Sequence, residues 1–307
     1  MAERATGIRS RRPGIGLRSN AGEAQTDLIT SRENRWLKTF RAALRGTGPA
    51  TDEPLAVEGP KLIEEAVRSE LEAEALLVSE SGERELARIL RAAGESDVGI
   101  VRERVLRTTD KLFASVAGTE TPQGMAALFR PREWTFDDLL RGRATRAGAY
   151  RGDTPLVVVM AGVQDPGNVG TIVRSAEAFG ATGVVASRGT ADPWSPKALR
   201  ASAGSALRMP LLRGMAIPVL LAQLKVAGVK ILAATSRTSD VREVEWSSPM
   251  AILIGSEGAG LPAEVLRTAD ATVAIPMSEE VESLNAGVAA SLLLYEAAKQ
   301  RDNAARE

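Results

Sequence analysis

The sequence predicts an α/β protein of two domains, and three observations support that prediction. The chain has 307 residues, about twice the length of an average domain. Hydrophobic residues make up 44% of it and charged residues 25%, which is the composition of an ordinary globular protein. In its second half, short apolar runs alternate with helical patterns, and this alternation is typical of a parallel sheet covered by helices on both faces.

The N-terminal part of the sequence is interpreted as a tail followed by a small α/β domain. Residues 1–25 are rich in arginine, glycine, serine and alanine without periodicity, so we predict a disordered basic tail. Residues 26–130 alternate short β-like runs with helical patterns. Strands are predicted at 54–59, 75–78 and 98–101, and helices at 60–69 and 83–93, with Gly94 where the second helix should end.

Two segments are rich in basic residues. Residues 130–151 carry six arginines against three acids, and we interpret 131–151 as the linker between the domains. A second cluster, with several members on one predicted helical face, comprises Arg32, Arg35, Lys38, Arg41 and Arg45. Charged faces of this kind are most often simply solvated, so neither cluster alone predicts RNA binding.

The second domain, residues 152–307, is expected to hold a parallel sheet. Its strands are predicted at 156–160, 183–186, 230–234, 251–254 and 272–275. Helical patterns lie between several of these strands, and a long one at 284–299 closes the domain. We expect no membrane span, because no stretch of the chain is apolar over the necessary length.

Two residue types are missing from the sequence, which contains no cysteine and no histidine. The lack of cysteine excludes disulfides, thiolate nucleophiles and cysteine metal sites, and it fits the reducing cytoplasm, where we expect the protein. The lack of histidine excludes histidine-ligated zinc and leaves no side chain with an ordinary pKa near 7. A general base must therefore be a tuned carboxylate, a lysine or a less usual group. The net charge of zero gives no argument for nucleic acid.

The first of three unusual loops follows the strand at 156–160, at the end where open α/β sheets bind ligands. Residues 164–174 read Gln-Asp-Pro-Gly-Asn-Val-Gly-Thr-Ile-Val-Arg. Pro166 and Gly167 should make a turn, after which Asn168 should cap a helix that contains Arg174. On its own, this stretch is equally well explained by a turn, a cap and a surface arginine.

The other two loops follow the strands at 251–254 and 272–275. Residues 255–260 read Gly-Ser-Glu-Gly-Ala-Gly, whose glycines let a ligand approach the backbone closely, with Glu257 held between them. In the third loop, Ser283 or a neighbour should cap the last helix, which places Asn285 near a helix N-terminus directed at the same region. Each loop is a weak signal, but their order along the chain is a strong one.

With these three loops, the sequence resembles the SPOUT superfamily, and within it the SpoU or TrmH branch of tRNA and rRNA 2′-O-methyltransferases. The resemblance covers residues 156–299, and the loops match the three motifs of that branch. Residues 30–128, which end in Pro-Gln-Gly-Met beginning at Pro122, also resemble the L30e/L7Ae-like substrate-binding domain that often precedes it. The resemblance implies a trefoil knot in the second domain, a rare exception to the rule that chains do not thread their own loops.

The resemblance also implies a methyl donor, an RNA substrate and a homodimer with its active site near the interface. S-adenosylmethionine should bind without a metal in a site lined at the family's positions by Gly255, Ile275 and Leu284, with Thr235 and Met277. The residues at the family's catalytic and substrate-positioning places are Arg174, Asn168, Glu257, Ser283 and Asn285. The L30e-like domain favours 23S rRNA over tRNA as the substrate, by analogy alone.

The expected chemistry requires alignment and removal of one proton, because a sulfonium donor is already activated while a ribose hydroxyl is a poor nucleophile until deprotonated. A free guanidinium stays protonated at physiological pH. We therefore expect Arg174 to hold the RNA phosphate and stabilise the forming alkoxide, with Glu257 or solvent taking the proton; the competing view makes Arg174 the base. Ser283 and Asn285 should orient the ribose, and Asn168 should hold its loop and could hold the arginine.

Two other functions are left open by the residues. In a dinucleotide-binding oxidoreductase, Gly255, Gly258 and Gly260 would form a phosphate loop, although their spacing is G-x-x-G-x-G and not G-x-G-x-x-G. In a non-catalytic RNA-binding protein, the first domain would supply affinity and the second would only dimerise. The second alternative leaves no role for the residues at the family's catalytic positions.

Overall fold

The fold is described from a computed structural model, which covers residues 27–50, 53–91, 105–142 and 154–304. Four predictions lie outside these ranges: the tail at 1–25, the strand at 98–101, Gly94 as a helix end, and the part of the linker beyond residue 142.

The first domain is a sheet of mixed direction flanked by helices. Its described elements are β1 Asp27–Ile29, α1 Arg35–Arg45, β2 Leu55–Glu58, α2 Pro60–Arg68, β3 Ala73–Ser79, α3 at 83–91, β4 Val105–Thr108, α4 Asp110–Ala114 and β5 Met125–Phe129. Among these residues the strands lie in the order β1-β4-β3-β5-β2, with β5 antiparallel to its two neighbours. The strands predicted at 54–59 and 75–78, the helix at 60–69 and the described part of the helix at 83–93 are confirmed.

The sequence pattern does not predict β1, β4 or β5. Strand β5 reads Met-Ala-Ala-Leu-Phe and is buried along its whole length, so it shows no alternation, and alanine is depleted in strands. It is extended because it pairs on both edges, with β2 and with β3. Strand β1 has only 3 residues, too few for a periodicity to be recognised.

Helix α1 carries most of the predicted basic cluster. Asn34 caps the helix by accepting a hydrogen bond from the Trp36 N–H, and one helical face is buried through Leu37, Phe40 and Leu44. The basic residues of the helix lie away from this buried face. Their predicted placement together on one side of a helix is confirmed.

The second domain is a parallel sheet with helices on both faces. Its described elements are α5 Phe136–Arg141, β6 Leu156–Ala161, α6 Pro166–Ala178, β7 Gly183–Ser187, α7 Pro196–Ala201, α8 Ser205–Arg208, β8 Leu211–Met215, α9 Ile217–Val226, β9 Lys230–Asp240, β10 Met250–Gly255, α10 Ala263–Thr268, β11 Ala271–Ala274 and α11 Ala286–Ala304. Among the described strands the order is β11-β9-β10-β6-β7-β8, and every pair is parallel. The parallel sheet and each strand predicted for it are confirmed, while β8 is an edge strand that the pattern does not predict.

Strand β6 separates two cores. Leu156, Val158 and Met160 belong to the cluster that includes residues of α6 and α11, whereas Val157 and Val159 belong to the cluster that includes residues of α9. Successive side chains of a strand point to opposite faces, so a continuously apolar strand is buried on both sides. This is the arrangement that the unbroken apolar run predicts.

The segment predicted as the linker contains a packed helix. Helix α5 begins with a capping box in which the Thr135 hydroxyl accepts from the Asp138 N–H and the Asp138 carboxylate accepts from the Thr135 N–H. Leu139 is fully buried, in the same core as Val157 and Val185. The first part of the arginine-rich segment is therefore part of the second domain's core and not a free connection.

Two arginines of the second domain bind the first domain, Arg208 through an ion pair and Arg213 through a backbone carbonyl. The Arg208 guanidinium donates to Glu65 of α2 over 2.8 Å and also to both carboxylate oxygens of Glu177 on α6. The Arg213 guanidinium donates to the Pro49 carbonyl over 3.1 Å and to the Asp192 carboxylate. These contacts fix the first domain above one edge of the second sheet.

Among the described residues, no helix combines the length and the apolar character needed to cross a bilayer. The trefoil knot implied by the resemblance stays a prediction.

Candidate active site

The three loops singled out in the sequence meet at one end of the parallel sheet. Strands β6 and β10 are neighbours in parallel register, with Ala161 paired to Gly255 at their carboxyl ends. The loops that follow them therefore leave the sheet side by side. The third loop, 275–285, leads into α11, which packs along α6 through a 2.6 Å contact between the Ser175 and Ser291 hydroxyls. Two packed helices thus begin beside the glycine-rich loop.

A continuous hydrogen-bond network joins the three loops. Asn168 Nδ2 donates to Glu257 Oε1 over 2.8 Å, and Asn285 Nδ2 donates to Asn168 Oδ1 over 2.9 Å. The Asn285 Oδ1 accepts from the backbone N–H groups of Gly287 and Val288, at 2.9 and 3.2 Å. Backbone donors fix the orientation of the last amide, and that orientation in turn fixes the Asn168 amide. The N-terminus of α11 therefore fixes the orientation of Asn285, and through Asn168 this orientation determines the hydrogen bond to the Glu257 carboxylate.

The predicted cap of α6 is wrong, and the cap of α11 is the nearby Asn285, two residues beyond Ser283. Helix α6 begins at Pro166, with Asp165 at the N-cap position, so Asn168 lies inside the first turn and its side chain is free to join the network. The reason is that proline is favoured at the first helical position as well as in turns. At α11 the capping side chain is Asn285 and not Ser283, because the helix begins later than the apolar pattern suggests.

The Glu257 carboxylate is ionised at neutral pH. Partial burial raises the pKa of Glu257, but hydrogen bonds from the Asn168 side chain and from backbone amides, including that of Gln164, outweigh this effect and hold the pKa below its usual range. The Gln164 N–H lies 3.4 Å from Glu257 Oε2. A general base is most effective when its pKa is near the working pH, so these contacts suit a fixed negative charge better than a base.

Arg174 is exposed on α6 and makes no hydrogen bond or ion pair with any other residue that the structure describes. The expectation that Asn168 could hold it is not met, because the amide of Asn168 is engaged by Glu257 and Asn285. The guanidinium charge is thus left uncompensated by the described part of the chain. Ser283 is also exposed and lies on the wall of the neighbouring cavity.

A cavity of about 360 Å³ opens beside the network. Its lining includes each residue predicted to contact the cofactor, namely Gly255, Ile275, Leu284, Thr235 and Met277. Two of the predicted catalytic residues, Glu257 and Ser283, also line it, while Asn168, Asn285 and Arg174 lie outside its lining. Sequence reasoning missed Ser236 and Glu282 in the lining, although Glu282 is the direct neighbour of a predicted residue.

The glycine-rich loop closes on itself. Ser256 and Gly260 exchange backbone hydrogen bonds of 3.2 and 3.0 Å, and a Cβ at Gly255 would overlap the backbone of Gly260 and Leu261. Gly255 is therefore required by the loop itself, and not only by ligand approach as the sequence suggests. These two N–H groups are used within the loop and cannot donate to a phosphate, which argues against the cradle of a dinucleotide-binding enzyme.

Comparison with known proteins decides the family. The family model described as the SpoU rRNA Methylase family matches residues 155–295, and that of the MRM3-like substrate binding domain matches residues 51–127. The sequence is 31% identical over 268 residues to the 23S rRNA (guanosine(2553)-2′-O)-methyltransferase RlmP of Bacillus subtilis, covering 87% of this chain and 97% of RlmP. The chain belongs to the SpoU family of RNA methyltransferases. Its first domain is the substrate-binding domain that precedes the methyltransferase domain.

Two solved structures resemble most of the chain. An AdoMet-bound rRNA methyltransferase from Sinorhizobium meliloti has 27% identity and a TM-score of 0.72, covering 90% of this chain and 98% of that one. The SpoU methyltransferase AviRb from Streptomyces viridochromogenes, in complex with AdoMet, has 27% identity and a TM-score of 0.73, covering 88% and 99%. The similarity therefore includes both domains and their arrangement.

Substitutions at Asn285 should separate the helix cap from the network. Aspartate keeps the oxygen that caps α11 but cannot donate to Asn168. The free energy of unfolding of Asn285→Asp should therefore lie within about 0.5 kcal/mol of the wild-type value, while its methylation rate should fall about tenfold or more. Asn285→Ala removes both contacts and should also lose about 1 kcal/mol of stability. Chemical denaturation and single-turnover methylation measure the two effects. Normal turnover in the aspartate variant would mean that the network has no role in activity.

Proposed function

We propose that this SpoU-family protein transfers a methyl group from S-adenosylmethionine to a ribose 2′-hydroxyl of RNA. The observation that carries the proposal is the network from α11 through Asn285 and Asn168 to Glu257, at the wall of a ligand-sized cavity. It is supported by the two AdoMet-bound relatives and by the 2′-O-methyltransferase RlmP.

The cavity suits the donor in size and in chemistry. Its volume of about 360 Å³ lies in the range of small-molecule sites. Apolar side chains of Ile275, Met277 and Leu284 can enclose an adenine ring, and the carboxylates of Glu257 and Glu282 favour a cationic ligand. When bound, S-adenosylmethionine supplies an electrophilic methyl group.

The chain's own residues would align the RNA and stabilise charge. The uncompensated Arg174 guanidinium would hold an RNA phosphate and the forming alkoxide. Glu257, ionised and fixed by Asn168, would keep a negative charge at the cavity wall, and its lowered pKa favours solvent as the acceptor of the ribose proton. Ser283 and Asn285 would orient the ribose.

The substrate is proposed to be 23S rRNA, with tRNA as the alternative. RlmP acts on 23S rRNA by its name and matches both domains of this chain. Mapping of 2′-O-methyl groups in total RNA from cells with and without the gene should show one ribose that loses its methyl group. The purified protein with S-adenosylmethionine and chelator should restore it on RNA from the deletion strain. Transfer to a base, or transfer only with added metal, would contradict the proposal.

Variants at Arg174 and Glu257 test the assignment of roles. Arg174→Ala should lose about a hundredfold or more in single-turnover rate with nearly unchanged donor affinity, because one preorganised charge is removed. Arg174→Lys should keep partial activity, since it retains the charge but not the bidentate fork. Glu257→Gln should lower the rate without changing the shape of its dependence on pH between about 6 and 9, because the carboxylate is already ionised there.

A different result would contradict the role assigned to each of the two residues. A profile that changes shape in Glu257→Gln would make that carboxylate the base. An Arg174→Ala enzyme with near-normal turnover would place the active site elsewhere in the domain.

We also propose that the protein forms a homodimer through α11. Val288, Leu292 and Tyr295 recur on one side of this helix and are 47%, 43% and 55% exposed, forming an apolar stripe that water-exposed helices rarely carry. The stripe adjoins α6, where Phe179 meets the Tyr295 ring edge-on at 5.7 Å. A second copy on this stripe would therefore also contact the C-terminal end of α6.

A charge in the stripe should separate the proposed dimer. Leu292→Glu would bury a carboxylate in the interface, so light scattering after size exclusion should show a monomer where the wild type shows a dimer. Val226→Glu is the matched control, because Val226 is 91% exposed at the end of α9 and should leave the dimer intact. A monomeric wild type, or a dimeric Leu292→Glu protein, would contradict the proposal.

A further inference from the structure

A groove of about 520 Å³ lies between the two domains. Its wall from the first domain includes Arg45, at the end of α1, and Gly118. Its wall from the second domain includes Gln164 in the loop after β6, together with Lys197 and Arg200 of α7. Neither the family match nor the predicted site assigns a role to this groove.

The groove carries two arginine charges that no described acid neutralises. The Arg45 guanidinium donates to the backbone carbonyls of Ser115 and Ala117, at 3.1 to 3.3 Å, so its contacts leave the positive charge in place. Arg200 is exposed and has no hydrogen bond or ion pair within the described ranges. A groove with one guanidinium group from each domain, neither of them paired with a described acid, suits a chain of phosphates.

The acids near these arginines are already paired. Asp192, which lines the groove, accepts from Arg213, and Asp165 accepts from Lys197 Nζ over 2.5 Å. Both carboxylates are thus engaged by other cations. Glu58, which is buried beside Gly118, accepts from the Gly118 N–H and the Thr119 hydroxyl. Arg45 and Arg200 are therefore exposed charges of the groove without an acidic partner among the described residues.

The groove adjoins the proposed active site at the loop after β6. Gln164 lines the groove, and its backbone N–H lies 3.4 Å from the carboxylate of Glu257, which lines the donor cavity. The groove and the cavity are therefore neighbours, joined through the Gln164–Glu257 contact. A strand lying in the groove would bring a neighbouring ribose to the network.

The width of the groove is fixed by contacts between the domains. Arg213 ties the Pro49 carbonyl to the second domain over 3.1 Å, and Gly48 is so close to Asp192 that a Cβ would overlap its carboxylate. These contacts lie within the chain itself, so the fold sets the distance between the two walls that carry the arginines.

We propose that the interdomain groove binds the RNA backbone beside the target nucleotide, with Arg45 and Arg200 each holding a phosphate. The proposal rests on the proposed RNA methyltransferase function and adds to it the path of the strand. The first domain then contributes through one wall of a shared site and not only through a separate RNA-binding surface.

Salt dependence of RNA binding tests the groove in the full chain. Each phosphate contact on a single strand contributes about 0.7 to the slope of log K against log salt. Arg45→Ala/Arg200→Ala should reduce this slope by about 1.4 for a fluorescein-labelled oligouridylate and weaken binding about tenfold or more at low salt. Arg200→Ala alone should reduce the slope by about 0.7, and since Arg200 has no described partner, this variant keeps the fold intact.

The matched control is Arg84→Ala/Arg267→Ala, which removes one exposed arginine from each domain outside the groove. It should change neither the slope nor the affinity by more than about twofold. Equal RNA binding by the groove and control variants, or no binding of the oligouridylate by the wild type, would overturn the proposed role of the groove.

Calorimetry with S-adenosylmethionine, performed on the same proteins, reports separately on the proposed function. If the groove variant loses RNA binding but still binds the donor, the proposed role of the groove is supported. If the wild type does not bind the donor, the proposed methyltransferase function is contradicted, but the role of the groove is not.

Discussion

The parallel register of β10 against β6 is the constraint on which the rest of the site depends. It ends both strands at the pair of Ala161 and Gly255, so the two following loops start one strand spacing apart. One loop turns at once into α6, and the other closes on itself between Ser256 and Gly260. The Glu257 carboxylate is consequently presented to the first turn of α6. A shift of the register would move Glu257 relative to Asn168 and so break the hydrogen bond that joins the loops after β6 and β10.

The network itself is organised by a helix terminus. Asn285 satisfies two N–H groups of α11 that would otherwise lack a partner, so its amide cannot rotate without a loss of helix stability. Its remaining donor then determines which way the Asn168 amide faces, and thereby that Glu257 receives an N–H and not a carbonyl oxygen. The pKa of Glu257 is low for the same reason. The same hydrogen bonds thus cap α11 and lower the pKa of Glu257.

The sequence predicts the parts of this protein that depend on local pattern. Continuous apolar runs predict β6, β7, β9, β10 and β11, because strands buried on both faces need no polar positions. Pattern does not predict β5, whose alanines are extended only through pairing on both edges, nor the packing of Leu139, since an arginine-rich flank resembles a linker. The start of α6 is misjudged because Pro-Gly suits both a turn and a first helical turn. The cavity lining follows from resemblance to the SpoU family, and not from periodicity.

The interdomain groove could not be predicted from the sequence at all, because its two arginines are far apart in the chain and only the fold makes them neighbours. Zero net charge gives no argument for nucleic acid, but the ion pairs leave some of the arginines without an acidic partner among the described residues. Arg208 and Arg213 are used for holding the domains together, and their acids are neutralised in the process. The arginines that remain near the site have no acidic partner among the described residues. Arg45 donates only to carbonyl oxygens, and Arg174 has no hydrogen-bond partner there. Phosphate affinity depends on such local excess and not on the sum of charges, so a neutral chain can present a positive path to RNA at the point where chemistry occurs.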